Sequence, residues 1–216
     1  MDLQQAIRSR RAVRAFTPEP VDRQTLLRLI DAAIQAPSAI NEQPWSFTVI
    51  EDRAMLTRIS TESKVHMLAT APRDIAAHHV LERLRDPAFD IFYHAPALIV
   101  ISSVQPDLWA VENCSLAAEN LMLAACAEGL GTCWIGFAQS WLASAAGKAM
   151  LGVPSAYLPV APIIVGHPQS AMPPVARRPP EIRWIAAAPA ELNRASGTAA
   201  PSFRAAGRRR QRCPAA

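Results

Sequence analysis

Val111–Glu128 reads VENCSLAAENLMLAACAE and runs directly into GLGTCWIGF at Gly129–Phe137. The first part is apolar nearly all the way round a helical turn, at Leu116, Leu121, Met122, Leu123, Ala124 and Ala125, and it stops at Gly129, with a second glycine at Gly131. A helix of that kind needs cover on most sides, so it belongs at the centre of a fold. The short stretch Thr132–Phe137 that follows is aromatic and β-branched, which predicts a strand. Upstream, Trp45–Ile50 and Ala97–Ser102 have the same character, and downstream Val160–Val165 repeats it after a predicted helix over Ser140–Met150. Asp22–Ala36 places Leu26, Ile30, Ala33 and Ile34 on one helical face, with Asp22 as N-cap and Pro37 as stop. Further helices are predicted near Leu3–Arg8, Arg53–Ile59 and Asp74–Arg85, the last closing at Asp86-Pro87. Helices first, then strands alternating with helices, predict α+β or α/β with one layered sheet.

The chain has 216 residues, half of them hydrophobic and 19% charged, which suits one domain with a core. Its longest uncharged apolar run, Ala95–Val104, is shorter than the roughly 20 residues that cross a bilayer, so no membrane partner is expected. Arg8, Arg10, Arg11 and Arg14 precede any apolar segment of the signal-peptide kind, and Cys114, Cys126, Cys133 and Cys213 are dispersed. Reduced thiols and a cytoplasmic location are the expectation. Net charge is +4, but residues 194–216 hold six arginines and no acid, so the preceding residues carry a formal −2. The expected organisation is a folded domain over residues 1–190 and a disordered Arg/Ala-rich tail over 191–216, whose basic character implies at most an accessory contact with nucleic acid or an acidic surface.

Four stretches carry groups suited to chemistry. Arg10, Arg11 and Arg14 place guanidinium forks close enough in sequence to share a phosphate; the plain alternative is a solvated cluster at a helix end. Pro37–Pro44 is stiffened by two prolines and offers Ser38, Asn41 and Gln43 as neutral hydrogen-bonding groups, or is an ordinary turn. In Gly129–Phe137 the glycines permit close approach of a flat ligand to the backbone amides near Ile135 and Gly136, or act only as cap and bend. Arg177-Arg178-Pro179-Pro180-Glu181 is again basic. His66, His78, His79, His94 and His167 show no paired ligand spacing, so no metal is expected, and Cys133 has no nucleophile signature.

In order and spacing these stretches resemble the FMN-dependent nitroreductase family. The matching text is SRRAVRAF at Ser9–Phe16, APSAINEQPWSF at Ala36–Phe47, AAENL at Ala117–Leu121, GLGTCWIG at Gly129–Gly136 and RRP at Arg177–Pro179. FDIFYHAP at Phe89–Pro96 also looks like the family, and the likeness covers about residues 2–185. It implies an α+β fold, a mixed sheet flanked by helices in an interwoven homodimer, with FMN at the subunit interface. Arg10, Arg11 and Arg177 would hold the flavin phosphate, and Arg14 would lie by the pyrimidine edge and tune the flavin. Asn41 would bond the ring, and Ile135 and Gly136 would offer amides near its reactive nitrogen. Pro37, Ser38 and Ala39 would reach the flavin of the other subunit. Two positions depart from the family's pattern: Ala12 where serine is usual in the cofactor-binding run, and Val175 where a basic residue often accompanies Arg177.

The resemblance further implies an NAD(P)H-dependent oxidoreductase that reduces nitroaromatics, quinones or enones by a ping-pong hydride mechanism, with no catalytic side chain required because the flavin carries the hydride. Reductive dehalogenation, enone-forming oxidation and flavin fragmentation are family alternatives using the same pocket. An alternative of another class is a nucleic-acid or acidic-surface binding protein acting through the basic tail.

Overall fold

A computed structural model describes residues 1–70 and 78–185. Four strands, β1 (Trp45–Ile50), β2 (Ala97–Ser103), β3 (Gly131–Trp134) and β4 (Leu158–Gly166), form one sheet in the order β1-β2-β4-β3. Every neighbouring pair is antiparallel, which excludes the α/β option and leaves the α+β one. The parallel contribution is the isolated bridge between Ala12 and Thr132 on the outer flank of β3.

Both faces of the sheet are covered. On β2, Ala97, Ile99 and Ile101 point toward α2 (Arg23–Ala33) and α5 (Ala110–Ala127), while Leu98 and Val100 point into a second cluster with Ile59 of α3 (Arg53–Thr70) and Ala138 and Leu142 of α6 (Gly136–Leu142). Strand periodicity of two therefore feeds two separate cores, and this explains why β2 reads as a continuous apolar run. Each fully buried isoleucine or leucine contributes roughly 1.5–3 kcal/mol of transfer free energy. In α5 the small residues Ala117, Ala118 and Ala125 are all fully buried and let the helix lie close on the sheet. Its other side leaves Val111 and Leu116 about half exposed, beside the equally exposed Trp109.

Several boundaries differ from the sequence expectation, each for a local reason. The helix expected over Asp22–Ala36 is capped by Asp22, whose carboxylate accepts from the Thr25 amide, but ends at Ala33; Leu29 takes the core position and Ile34 is exposed. The helix from Arg53 continues to Thr70 instead of stopping at Ile59. The helix expected from Asp74 is described from His78 to Arg85 as α4; its expected start lies outside the described residues. The strand expected over Thr132–Phe137 ends at Trp134, because Gly136 opens α6. The single helix expected over Ser140–Met150 is two, α6 and α7 (Ala145–Leu151), divided at Ser144, whose hydroxyl caps α7 by accepting from the Gly147 amide. Met1–Val175 forms one compact unit, and a second begins at Ala176, where the described residues 176–185 have no regular secondary structure. The boundary expected at residue 190 and the tail after it lie outside the described residues.

Candidate functional site

The arginine-rich stretch owes its position to the edge of β3. α1 (Leu3–Ser9) is fixed at its start by a capping box, Asp2 accepting from the Gln5 amide and Gln5 accepting from the Asp2 amide. The chain then leaves α1 at Arg10 and runs extended along β3. The Val13 amide donates to the Thr132 carbonyl at 2.9 Å, the Thr17 amide to His167 at 2.9 Å, and the Gln169 amide to Ala15 at 3.0 Å. Extended backbone alternates its side chains, so Val13 packs on Gly131 while Ala12, partly buried, joins the core on the α3/α6 side of the sheet. Arg10 and Arg11 line a cleft of about 490 Å³ with Ser9, Val13, Thr132 and Met172. Arg10 Nε donates to Glu119 Oε1 at 3.1 Å. Arg11 Nε donates to the Pro173 carbonyl, and its Nη1 to the carbonyls of Arg8 and Arg10. These two sequence-predicted residues share one cleft, each held at part of its guanidinium.

Arg14 lines a neighbouring cleft of about 340 Å³ with Tyr93, Cys133, Ile135, Gly136 and Phe137. The Ile135 amide is already spent on the Pro162 carbonyl at 2.8 Å, which corrects the expectation that both amides are offered to a ligand. Gly136, at the first position of α6, keeps a free helix-start amide and is exposed. Nothing among the described residues requires a glycine there. A Cβ on Gly131, Gly147 or Gly166 would strike neighbouring atoms at 2.8, 2.2 or 2.6 Å, and Gly129 and Gly152 have positive φ; a Cβ on Gly136 would meet nothing within 4 Å, and its φ is ordinary. Among the described glycines it alone borders open space for no conformational reason, as a residue does where something flat must lie against the backbone. Burial raises the Cys133 thiol, with Arg14 and Arg10 opposing, so it is a neutral wall of this cleft and not a nucleophile.

Pro37, Ser38 and Ala39 stand elsewhere, in an apolar recess with Ile40, Trp109 and Asn113. The loop from Pro37 to Pro44 holds Ile40, Asn41 and Gln43 at φ of 42°, 59° and 52°. Left-handed backbone in three non-glycine residues persists only when braced. Ser38 Oγ accepts from the Gln43 amide, Asn41 Oδ1 from Gln43 Nε2, and Asn113 Oδ1 from the Ala39 amide, all at 3.0 Å. The Asn113 carbonyl also accepts from the Trp45 indole at 3.0 Å. Asn113 was not singled out from sequence, although a lone amide on the buried face of an alanine-rich helix was the available signal. Glu119, which holds Arg10, and Tyr93 in the second cleft were likewise missed as individual residues. Arg177 is exposed and lies in the second unit.

Within the single chain, then, Arg10 with Arg11 and Arg14 with Gly136 gather along β3, whereas Pro37–Asn41 precede β1 at the opposite edge of the sheet. Three strand spacings of about 4.8 Å separate those edges.

A family model described as the nitroreductase family matches residues 7–167. A protein of Methanothermobacter thermautotrophicus with a provisional NADH dehydrogenase/NAD(P)H nitroreductase name is 30% identical over 123 residues, 55% of this chain and 52% of its own length. A 4-nitrobenzoate reductase of Pseudomonas putida is 38% identical over 81 residues, 35% of this chain and 36% of its own. The chain thus spans about half or less of the length of these curated relatives. Among solved structures, a nitroreductase with bound FMN from Bacteroides fragilis superposes with a TM-score of 0.75 at 25% identity, covering 86% of this chain and 99% of that one.

Proposed function

The chain belongs to the nitroreductase family, and on that premise we propose that it is an FMN-dependent oxidoreductase drawing electrons from NADH or NADPH and passing them to a nitroaromatic, quinone or enone. The observation that carries the reading is Gly136, whose open Cα face lies in the cleft that Arg14 also lines. The residues fit the group on chemical grounds as well, since two guanidinium groups in one cleft suit a phosphate and a third beside a free amide suits a polarisable ring. When bound, FMN supplies the hydride chemistry, so no side-chain acid or base is demanded of the protein.

The chain's own part is binding and electrostatics. Arg10 and Arg11 take the phosphate, each charge-assisted bond contributing about 1.5–3 kcal/mol. Arg14 places a fixed cation where negative charge accumulates on reduction, and a preorganised charge of this kind requires no rearrangement during the reaction. The Gly136 amide fixes orientation. Because the loop carrying Pro37, Ser38, Ala39 and Asn41 stands across the sheet from Arg14, a second copy of the chain supplies that loop to each site. The half-exposed apolar side of α5, with Trp109, Val111 and Leu116, supports such an interface.

The test is the visible spectrum of the purified protein followed by anaerobic addition of NADH or NADPH. The expected result is a yellow protein that either nicotinamide bleaches and a nitro compound or quinone recolours. A colourless protein that takes up no added FMN overturns the reading.

A further inference from the structure

The cleft of Arg14 and Gly136 has a second cation beside it. Arg83, in the last turn of α4, lays its guanidinium carbon 4.4 Å from the centroid of the Phe89 ring and 5.8 Å from that of Tyr93. Arg14 approaches the same Tyr93 ring at 6.0 Å. Phe89 and Tyr93 meet edge to face, 5.7 Å apart at 73°, and Tyr93 lines the cleft itself. Among the described residues neither arginine is paired with a carboxylate.

The ring between them is positioned by a strained turn. Tyr93 and His94 have φ of 53° and 58°, values non-glycine residues adopt only when held there. Asp90 does much of the holding: Oδ1 accepts from the Phe92 amide at 3.0 Å and Oδ2 from the His94 amide at 2.9 Å, with His94 Nδ1 at 3.3 Å from Oδ2. Arg53 adds a bond to the His94 carbonyl at 3.0 Å. The turn buries Phe92 and Ala95 in the second core cluster and leaves Tyr93 half-buried, packed against that cluster on one side and lining the cleft on the other. A guanidinium stacked on aromatic faces keeps its in-plane N–H groups free, and that fork matches a carboxylate.

We propose that Arg83 is a specificity residue that selects electron acceptors carrying an anionic substituent, above all electron-poor aromatic carboxylates. The inference rests on the reading of this cleft as the place where the acceptor meets the flavin. The acceptor's ring lies against Tyr93, on the open side of the flavin that Gly136 orients, its carboxylate takes the Arg83 fork, and Arg14 adds long-range attraction without being consumed by the contact. The other anion with access to such a cation is the 2′-phosphate of NADPH, and the experiment separates the two.

Calorimetric titration of the purified holoprotein with 4-nitrobenzoate and with neutral 4-nitrobenzamide reads the site directly, and steady-state kinetics with NADH and NADPH follow on the same samples. The expected result is about tenfold tighter binding of the carboxylate. Arg83→Met abolishes that preference and leaves the amide's affinity unchanged, while Arg83→Lys retains part of it. Equal affinities in the parent protein overturn the proposal. So does an Arg83→Met variant that weakens both ligands alike, which marks a structural role, or one that changes only the NADPH-over-NADH ratio, which assigns Arg83 to the reductant. Binding preference without turnover by either nicotinamide removes the reductase reading and keeps the anion site; turnover of both acceptors at one kcat/KM does the reverse.

Discussion

Gly131 and Val13 touch so closely that a Cβ on Gly131 would meet Val13 Cβ, Cγ1 and Cγ2, each at 2.8 Å. This contact seats the arginine-bearing segment on β3. Gly131→Ala is expected to lower stability by about 1–3 kcal/mol, as overpacking does, and to weaken FMN binding by pushing Arg10–Arg14 off the strand. Adding Val13→Ala should restore most of both losses. Urea midpoints and flavin titrations of the single and double variants check it, and a double variant no better than the single would show that the contact is not the cause.

At Gly136 the same chemistry has the opposite consequence. Gly136→Val fills open space at a helix start, so the flavin-free protein should melt within about 2 °C of the parent. Its FMN affinity should fall at least about tenfold, because the new side chain occupies the ligand's place. Thermal scans and flavin fluorescence titration measure the two independently. Parent-like affinity in the variant would remove the central support for the cleft assignment.

Arg14→Gln should slow anaerobic bleaching of the bound flavin by about tenfold or more while part of the flavin remains bound, since 1.4 kcal/mol of lost stabilisation already corresponds to that factor. Stopped-flow measurement with NADH and NADPH on both proteins reads it. An unchanged bleaching rate would mean that Arg14 binds without tuning.

Cys114 connects the core to pH. Burial pushes its thiol from 9.0 up to about 12, so the neutral form is favoured by folding. The folded-state value lies above the unfolded one, and the stabilisation is therefore complete below pH 9.0 and is lost as pH rises toward about 12. Cys114→Ala should flatten the alkaline fall in urea midpoint across that window, although it costs about 1 kcal/mol at neutral pH through the smaller side chain. Equal alkaline slopes in both proteins would place the pH dependence elsewhere.

Solution mass is the check on assembly: a dimer of the 23.4 kDa chain is expected, and substituting aspartate at Leu116, which is half exposed on α5, should yield monomers that lose flavin. A monomer that keeps full flavin would contradict the shared site.

What the sequence disclosed followed from how local each signal is. Trp45–Ile50 is bounded as read, and the central helix is displaced by one residue at each end, because uninterrupted apolar runs carry their own boundaries. The break at Ser144 was legible in principle, a serine three residues before a glycine amide it caps, but alanines on both sides imitate a continuous helix. In the site, the residue types at Arg10, Arg11, Arg14 and Gly136 could be read from their motifs. Which amides remain free could not: the Ile135 amide is taken by Pro162, 27 positions later on β4, and only strand pairing brings them together. Arg83 and Tyr93 were equally hidden, since their meeting depends on a turn whose left-handed residues are not the glycines that usually announce one.

Strand β3 is only four residues long and has β4 on one flank alone. An open strand flank is a template for the same flank of another molecule, and proteins protect it with charge or with a covering segment. Here the run from Arg10 to Phe16 does both, donating the Val13 amide to Thr132 while setting three guanidinium groups around the join. The strip that equips the protein to hold an anion thus also guards it against sheet-to-sheet aggregation, and a variant that detaches it should precipitate as readily as it loses its ligand.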